Sequence, residues 1–241
     1  MKIARQSLVF VALFALLTLT AAPAGADHEW GAYHWARDSN PFLLKLGDNV
    51  TPAWDTYLGE ASFDWSLSPV LDTTIVPGSV KNVKQCTPSS GRVEVCNSKY
   101  GRNGWLGIAG IYLTGEHINK GYVKLNDSYF NTTDYDKPEW RRLVMCQEVG
   151  HTFGLDHQDE TFDNPNLGTC MDYTNNPSGP PSNEHPNPHD YQQLAEMYLH
   201  TDSTTTTGAN APATAAKSSR SRVVDVDSHG NGTVTWIFWT H

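Results

Sequence analysis

Short apolar stretches alternate with longer segments of helical periodicity along this chain of 241 residues. Alternating or continuous apolar residues predict five β-strands, at residues 42–46, 70–76, 92–96, 105–113 and 121–125. Helical spacing of apolar residues predicts α-helices, at residues 52–66, 139–153 and 189–200. Thr51 can cap the first helix, with Pro52 at its first position. This order of elements predicts a mixed α/β domain of the α+β kind, with a twisted sheet of about five strands.

The two ends of the chain differ from this middle part. Residues 1–26 combine an early basic pair, an apolar run too short to span a bilayer and a small-residue cleavage site, which together indicate a secretory signal peptide. We therefore expect a secreted, extracellular protein with a folded domain over residues 27–200. Residues 201–222 are rich in Thr, Ser and Ala and predict a flexible linker. Residues 223–241 alternate on both sides of a glycine-rich turn and predict a β-hairpin, whose aromatic face must pack on the domain or on a partner.

The formal net charge of −9 indicates which partners to expect. An acidic surface repels nucleic acid and anionic membranes. We therefore expect no nucleic acid as a partner and, after removal of the signal peptide, no membrane. The domain is expected to be a monomer.

Four cysteines in a chain expected to be exported favour disulfide bonds. We expect Cys86 to pair with Cys96 across a turn sequence, which would staple a hairpin, and Cys146 to pair with Cys170. The alternative is that some of these residues are simply buried thiols.

The most informative stretch reads QEVGHTFGLDH and begins at Gln147. It is the zinc-protease pattern HExxHxxGxxH with glutamine in place of the first histidine. Gln147 and His151 lie one helical turn apart, so their side chains share one face and can bind one cation. Gly154 would end the helix in the left-handed conformation, and the returning chain would bring in His157 as a third ligand. Three protein ligands leave a position for water, as in catalytic zinc sites, and Glu148 would be the general base. The alternative is an ordinary helix with surface histidines.

Other polar residues give weaker signals. His117, His185 and His189 have no ligand spacing, and we expect them on the surface. The loop after the motif is acidic, with carboxylates at Asp156, Asp159, Glu160 and Asp163. These oxygens could bind Ca²⁺, although no calcium-loop spacing is met and a solvated loop is the alternative.

With this motif, the chain resembles the metzincin metalloproteases, most closely the matrixin-type catalytic domain. The sequence CMDY at residues 170–173 is similar to the family's Met-turn, which underlies the zinc site. The resemblance implies that Met171 lies below the metal. It also implies that Tyr173 approaches the zinc and stabilises the oxyanion of the reaction; a packed aromatic ring is the alternative. The residues from 189 onward resemble the last helix of such a domain.

The resemblance further implies how a substrate binds. Residues 105–113 would be an antiparallel edge strand, to which an extended peptide adds as a further strand. Leu106, Gly107 and Ile108 would then line the cleft. The alternative is that this strand is covered.

The motif and the resemblance together imply a zinc-dependent metalloendopeptidase, which hydrolyses internal peptide bonds of a protein or peptide substrate with a zinc-activated water. Gln147 is the main departure from the pattern, because a neutral amide oxygen is a weaker zinc ligand than an imidazole nitrogen. The alternative is a non-catalytic binding protein of the metzincin fold, with a weakened or empty metal site.

Overall fold

The computed structural model describes residues 28–208 and 222–240. The predicted signal peptide and residues 209–221 of the predicted linker lie outside the described residues. Each of the five predicted strands forms, and a short strand that the pattern did not predict precedes them. In chain order they are β1 (His34–Trp35), β2 (Phe42–Asn49), β3 (Leu71–Pro77), β4 (Arg92–Ser98), β5 (Trp105–Thr114) and β6 (His117–Asn126).

The C-terminal hairpin also forms, as β7 (Arg222–Val226) and β8 (Gly232–Trp239), and it packs on the domain. Alternate residues of β8 turn inward and are buried, namely Val234, Trp236 and Phe238. Because β1, β7 and β8 join the sheet, the described ranges contain eight strands instead of about five.

The strands form one mixed sheet, in the order β3-β2-β4-β6-β5-β8-β7, with β1 paired to β6. β2, β3, β4 and β6 are parallel, and β5 is antiparallel to β6. The predicted direction of residues 105–113 is therefore confirmed. Their predicted position at the sheet edge is wrong, because β8 pairs along the outer side of β5 from Trp105↔Trp239 to Leu113↔Gly232.

Four helices accompany the sheet, α1 (Asp55–Trp65), α2 (Asp127–Phe130), α3 (Pro138–His151) and α4 (Pro188–Met197). The first predicted helix begins three residues late, since Thr51 closes a turn by accepting a hydrogen bond from the Trp54 amide at 2.8 Å. Its predicted cap at Thr51 is therefore wrong; Trp54 occupies the N-cap position, without a side-chain hydrogen bond to the helix. In the part of the chain that the structure covers, no helix has both the length and the apolar character needed to cross a bilayer.

The position of α3 is fixed by its neighbours. α1 and α3 pack on each other and on the sheet, α1 against β3 and α3 against β5. The buried indole of Trp65 in α1 donates a hydrogen bond to the Cys146 carbonyl of α3 at 3.0 Å. Because a buried N–H without an acceptor is costly, this contact holds the two helices in one relative position.

Both predicted disulfides are confirmed, Cys86–Cys96 and Cys146–Cys170, each with a Cα–Cα distance of 6.0 Å. The first does not staple a hairpin, however, because β2 lies between β3 and β4 in the sheet. It ties the loop after β3 to β4. The second ties α3 to the segment that carries Met171.

The chain after α4 stays on the domain as far as residue 208. The amide of Thr206 donates to the Ala36 carbonyl at 2.9 Å, and the amide of Gly208 donates to the Gly91 carbonyl at 3.0 Å. The first residues of the predicted linker are therefore hydrogen-bonded to the domain.

Candidate active site

The candidate site begins at the C-terminal end of α3. His151 is the last residue of this helix, and Gly154 follows with a φ of 100°. A side chain at Gly154 would be strained at that φ and would also collide with the Tyr33 carbonyl oxygen. The turn at Gly154 reverses the chain and brings His157 back toward His151, as the motif predicts.

The two histidines face each other through their Nε2 atoms, which lie 2.9 Å apart. Their other ring nitrogens lie beside acceptors: Nδ1 of His151 is 2.8 Å from the Leu155 carbonyl, and Nδ1 of His157 is 3.0 Å from the Glu160 carboxylate. Such partners place the proton of the neutral ring on Nδ1. The Nε2 atom is then unprotonated, and its lone pair is available to a metal ion. Two bare nitrogens that converge form the arrangement that binds a metal cation.

Gln147 lies one helical turn before His151 on α3, on the same face of the helix. Its side-chain nitrogen donates to the Cys170 carbonyl at 2.7 Å, which fixes the orientation of the amide. Its Oε1 atom is buried and has no hydrogen-bond partner in the described ranges. A buried acceptor without a partner is costly, and a cation beside it would remove that cost. Gln147, His151 and His157 therefore fit a zinc ion as one oxygen and two nitrogen ligands.

Glu148 lies fully buried between α3 and the sheet. Burial raises the pKa of its carboxyl well above the usual value, and the amides of Ala109 and Phe238 oppose this shift only in part. Within the described ranges, neither carboxylate oxygen has a hydrogen bond of ordinary geometry. The carboxylate fits because the facing residue of β5 is Gly107, where a Cβ would collide with Oε1.

The predicted Met-turn lies beside the same helix. Met171 is fully buried, and its sulfur lies so close to α3 that a Cβ at Gly150 would approach it to 2.8 Å. The Tyr173 ring lies 4.4 Å from the His157 ring. Burial raises the pKa of Tyr173 well above its usual value, so its hydroxyl remains a proton donor at neutral pH.

The hairpin strand β8 covers this site. The indole of Trp236 stacks on the His151 ring with a centroid distance of 4.9 Å, and the Tyr173 hydroxyl donates to the Ile237 carbonyl at 3.2 Å. Phe238 lies 5.0 Å from the Tyr173 ring. The predicted cleft residues are covered as well: Gly107 pairs with Phe238, and Ile108 pairs with Ile237.

The acidic loop makes mainly protein contacts. Asp159 accepts hydrogen bonds from the Thr161 amide at 2.7 Å and from the Asn164 side chain. Asp163 accepts one from Asn175 at 2.8 Å. The carboxylates of Glu160 and Asp156 instead lie near Nδ1 of His157. Glu160 thus orients the ring of a predicted metal ligand, and Asp156 accepts a hydrogen bond from the backbone amide of the same residue at 2.9 Å.

Sequence reasoning missed the residues that cover the site, Trp236 to Phe238. The alternation of apolar residues predicts the hairpin, but no local signal indicates which sheet edge it joins. It also missed the contact of Glu160 with His157. The i, i+3 spacing of these two residues is a signal for such a contact. It can be interpreted only when the turn at Gly154 is known to direct the His157 ring toward His151.

No protein-family model matches this chain, and no curated protein matches it. Among solved structures, one described as "Structure of myroilysin" matches with 13% sequence identity and a TM-score of 0.39, over 69% of this chain and 97% of that chain. A likeness this distant assigns no function, so the function must be inferred from the geometry of the site.

Proposed function

We propose that this chain is a secreted, zinc-dependent metalloendopeptidase that hydrolyses internal bonds of extended peptide segments. The observation that carries the proposal is the position of the peptide bond between Ile237 and Phe238. Its carbonyl oxygen accepts a hydrogen bond from the Tyr173 hydroxyl at 3.2 Å. Its amide belongs to Phe238, which pairs with Gly107, the residue that faces the Glu148 carboxylate. Hydrolysis of a peptide bond needs a donor at the carbonyl oxygen and a proton carrier near the amide nitrogen.

The strand β8 also indicates how a substrate would lie. It is extended, antiparallel to β5 and paired with it by main-chain hydrogen bonds. A peptide substrate in the same place would add a strand to the sheet, which gives affinity that depends little on side chains. Leu106, Gly107 and Ile108 keep their predicted role as the substrate strand in this proposal, with the protein's own β8 as the occupant.

The donor set described above would hold the metal. A zinc ion bound by His151, His157 and Gln147 would polarise the carbonyl and lower the pKa of a water to about 7.

The remaining groups handle protons and orientation. Glu148 would accept a proton from the attacking water and pass it to the leaving amine; a raised pKa suits a group that must both accept and release a proton near neutral pH. The protonated hydroxyl of Tyr173 would stabilise the developing oxyanion. Glu160 would hold Nδ1 of His157 and so keep its Nε2 directed toward His151.

The proposal includes a covered state and an open state. In the covered state, β8 occupies the position of a substrate, and Trp236 and Phe238 contribute buried aromatic surface to its docking. A substrate can bind only after β8 has left β5. Activity therefore belongs to the open state, and the free energy of hairpin docking sets how much of the protein is active.

Cleavage of a mixed peptide library, read by mass spectrometry, tests the proposal. We expect cleavage of internal bonds that a chelator abolishes and zinc restores. Glu148→Gln should lower the rate by about 10²–10⁴-fold, the range for loss of a general base, without changing the circular dichroism spectrum. The matched control is Glu139→Gln in the first turn of the same helix.

A variant with a weakened hairpin, Trp236→Ala, belongs in the same experiment, because the covered state could hide activity. Absence of cleavage in both the wild type and Trp236→Ala, with zinc present, would rule out the peptidase. The non-catalytic binding protein would then remain.

A further inference from the structure

Three histidines and an aspartate from distant parts of the chain meet outside the candidate active site. His34 lies on β1, His117 begins β6, and His200 and Asp202 follow α4. The Oδ1 atom of Asp202 lies 3.5 Å from Nε2 of His34 and 3.3 Å from Nε2 of His117. It lies 3.7 Å from Nε2 of His200, which is itself 3.2 Å from Nε2 of His34.

A hydrogen bond from a neutral ring does not explain the contact between His34 and Asp202. Nδ1 of His34 lies 2.6 Å from the Ala32 carbonyl, a contact that is favourable only if Nδ1 carries a proton. In the neutral ring, Nε2 is then bare, yet it faces a carboxylate oxygen of Asp202 and a ring nitrogen of His200. A bare nitrogen facing a carboxylate oxygen is repulsive unless a cation lies between them.

The distances fit ligands that share one metal ion. Zinc–nitrogen and zinc–oxygen bonds are about 2.0–2.2 Å long, so two ligand atoms of a tetrahedral site lie roughly 3.3–3.6 Å apart. The separations of 3.3, 3.5 and 3.7 Å around Asp202 Oδ1 lie close to this range. They exceed ordinary N–H···O hydrogen bonds of about 2.7–3.2 Å. The ligand atoms of His34, His117 and Asp202 all lie within 4.8 Å of one another.

Asp202 is held in place by a residue behind it. The buried guanidinium of Arg37 donates to Oδ2 of Asp202 at 2.8 Å, and the Arg37 amide donates to the same oxygen at 3.2 Å. Oδ1 is left to face the three imidazoles. Arg37 also donates to the His200 carbonyl. Outer partners that orient the ligands are typical of built metal sites.

An open pocket lies beside the cluster. His34 and His200 line it together with three carboxylate residues, Glu29, Glu116 and Glu196. An acidic pocket concentrates cations, so it provides a route by which a metal could reach the cluster.

We propose that His34, His117 and Asp202 form a structural site for a divalent transition metal, with zinc as the ion that fits best and with His200 at the border of the site. Two imidazoles and one carboxylate are donors that suit zinc. The three ligands come from three separate segments of the chain, and none of them belongs to the candidate active site. The ion ties β1, the turn between β5 and β6 and the segment after α4 to one another.

The zinc content of defined variants tests this proposal independently of peptidase activity. The full chain is purified without a histidine tag, with His157→Ala to disable the candidate active site, equilibrated with zinc and desalted. We expect one zinc per chain by mass spectrometry of the metal. Zinc removal by a chelator should lower Tm by roughly 5–10 °C, as expected for a tightly bound structural ion.

Adding His117→Ala and His200→Ala should abolish zinc retention. The matched control adds His185→Ala and His229→Ala, two exposed histidines that lie outside both clusters, and should retain one zinc. Zinc retention after loss of His117 and His200, or no zinc in the His157→Ala protein, would overturn the proposal.

A second measurement covers the case in which the ligand variants fail to fold. X-ray absorption at the zinc edge of the His157→Ala protein should show four nitrogen or oxygen ligands with the scattering pattern of several imidazole rings. A six-ligand shell of oxygens would overturn the proposal as well.

Discussion

The indole ring of Trp236 lies flat against the imidazole ring of His151, with an angle of 4° between the planes. The same indole donates a hydrogen bond from Nε1 to Asp156 at 3.3 Å. One residue of the C-terminal hairpin thus contacts both a candidate metal ligand and the loop that leads to His157. The docked hairpin therefore covers one face of the His151 ring.

Trp236→Ala is expected to raise peptidase activity. Removing a packed tryptophan costs about 3–5 kcal/mol, and if that loss falls on the docked hairpin, the open population rises by about a hundredfold or more. The rate of cleavage of a fluorogenic peptide, measured at saturating zinc, reports this change. Limited proteolysis of the hairpin should accelerate in parallel.

Val224→Ala is the control for this variant, since Val224 lies in the same hairpin but is exposed. It should leave both rates near those of the wild type. If Trp236→Ala opens the hairpin to proteolysis and does not raise peptide cleavage, the hairpin does not limit access to the site.

Gln147→His is expected to strengthen zinc binding at the candidate active site. An imidazole is a better zinc ligand than an amide oxygen. Loss of a residue that only orients a ligand changes metal affinity by about 10–100-fold, so we expect the affinity for zinc to rise by at least this factor. Competition with a chromophoric chelator measures the affinity. Gln192→His, at an exposed position of α4, is the control for a general effect of an added histidine. Equal affinity in Gln147→His and the wild type would mean that residue 147 does not face the metal.

The strands of the sheet could be predicted because each one depends on the pattern of apolar residues within its own segment. The five strands and the motif helix follow from periodicity, and the turn at Gly154 follows from a single residue with a φ of 100°. The first helix begins later than predicted, because a turn closed by the hydrogen bond from the Trp54 amide to the Thr51 carbonyl takes the place of the predicted N-terminal cap. The short strand β1 has too few residues to produce a periodic signal.

The interactions around the candidate site were less predictable, because they join residues far apart in the chain. Nothing near His117 in the sequence indicates that His34 and Asp202 lie beside it, and the sequence therefore suggested only a surface histidine. The covering of β5 depends in the same way on which edge the hairpin joins. The pairing of Gly107 with Phe238 joins residues more than half the chain apart.

The contact between His185 and Asp64 predicts a pH dependence of stability. Nδ1 of His185 lies 2.7 Å from the Asp64 carboxylate, and this hydrogen bond, opposed by desolvation, raises the pKa of His185. A group with a raised pKa contributes stability that is complete below its unfolded pKa of about 6.5 and is lost as the pH rises through the folded value. The contribution is small, since the His185 side chain is 52% exposed and solvent screens the pair.

Urea unfolding of the wild type and of His185→Gln at several pH values tests this prediction. The wild type should be the more stable protein at acidic pH, and the difference should shrink as the pH rises above neutrality. Asp64→Asn should reproduce the same loss. A stability difference that does not change with pH would show that the pair is not charged in the folded protein.

Gly107→Ala is expected to damage the candidate site while leaving the fold largely intact. A Cβ there would collide with the Glu148 carboxylate and would lie 2.7 Å from a methyl carbon of Val144, so β5 and α3 would have to separate. Overpacking of this kind costs about 1–3 kcal/mol, and displacement of Glu148 should reduce peptide cleavage by more than the stability change explains. Gly59→Ala is the control, because a Cβ at that helix position meets no atom within 4 Å and should stabilise α1 by about 0.5–1 kcal/mol. Unchanged Tm and cleavage rate in Gly107→Ala would mean that Glu148 does not pack against β5 in the active protein.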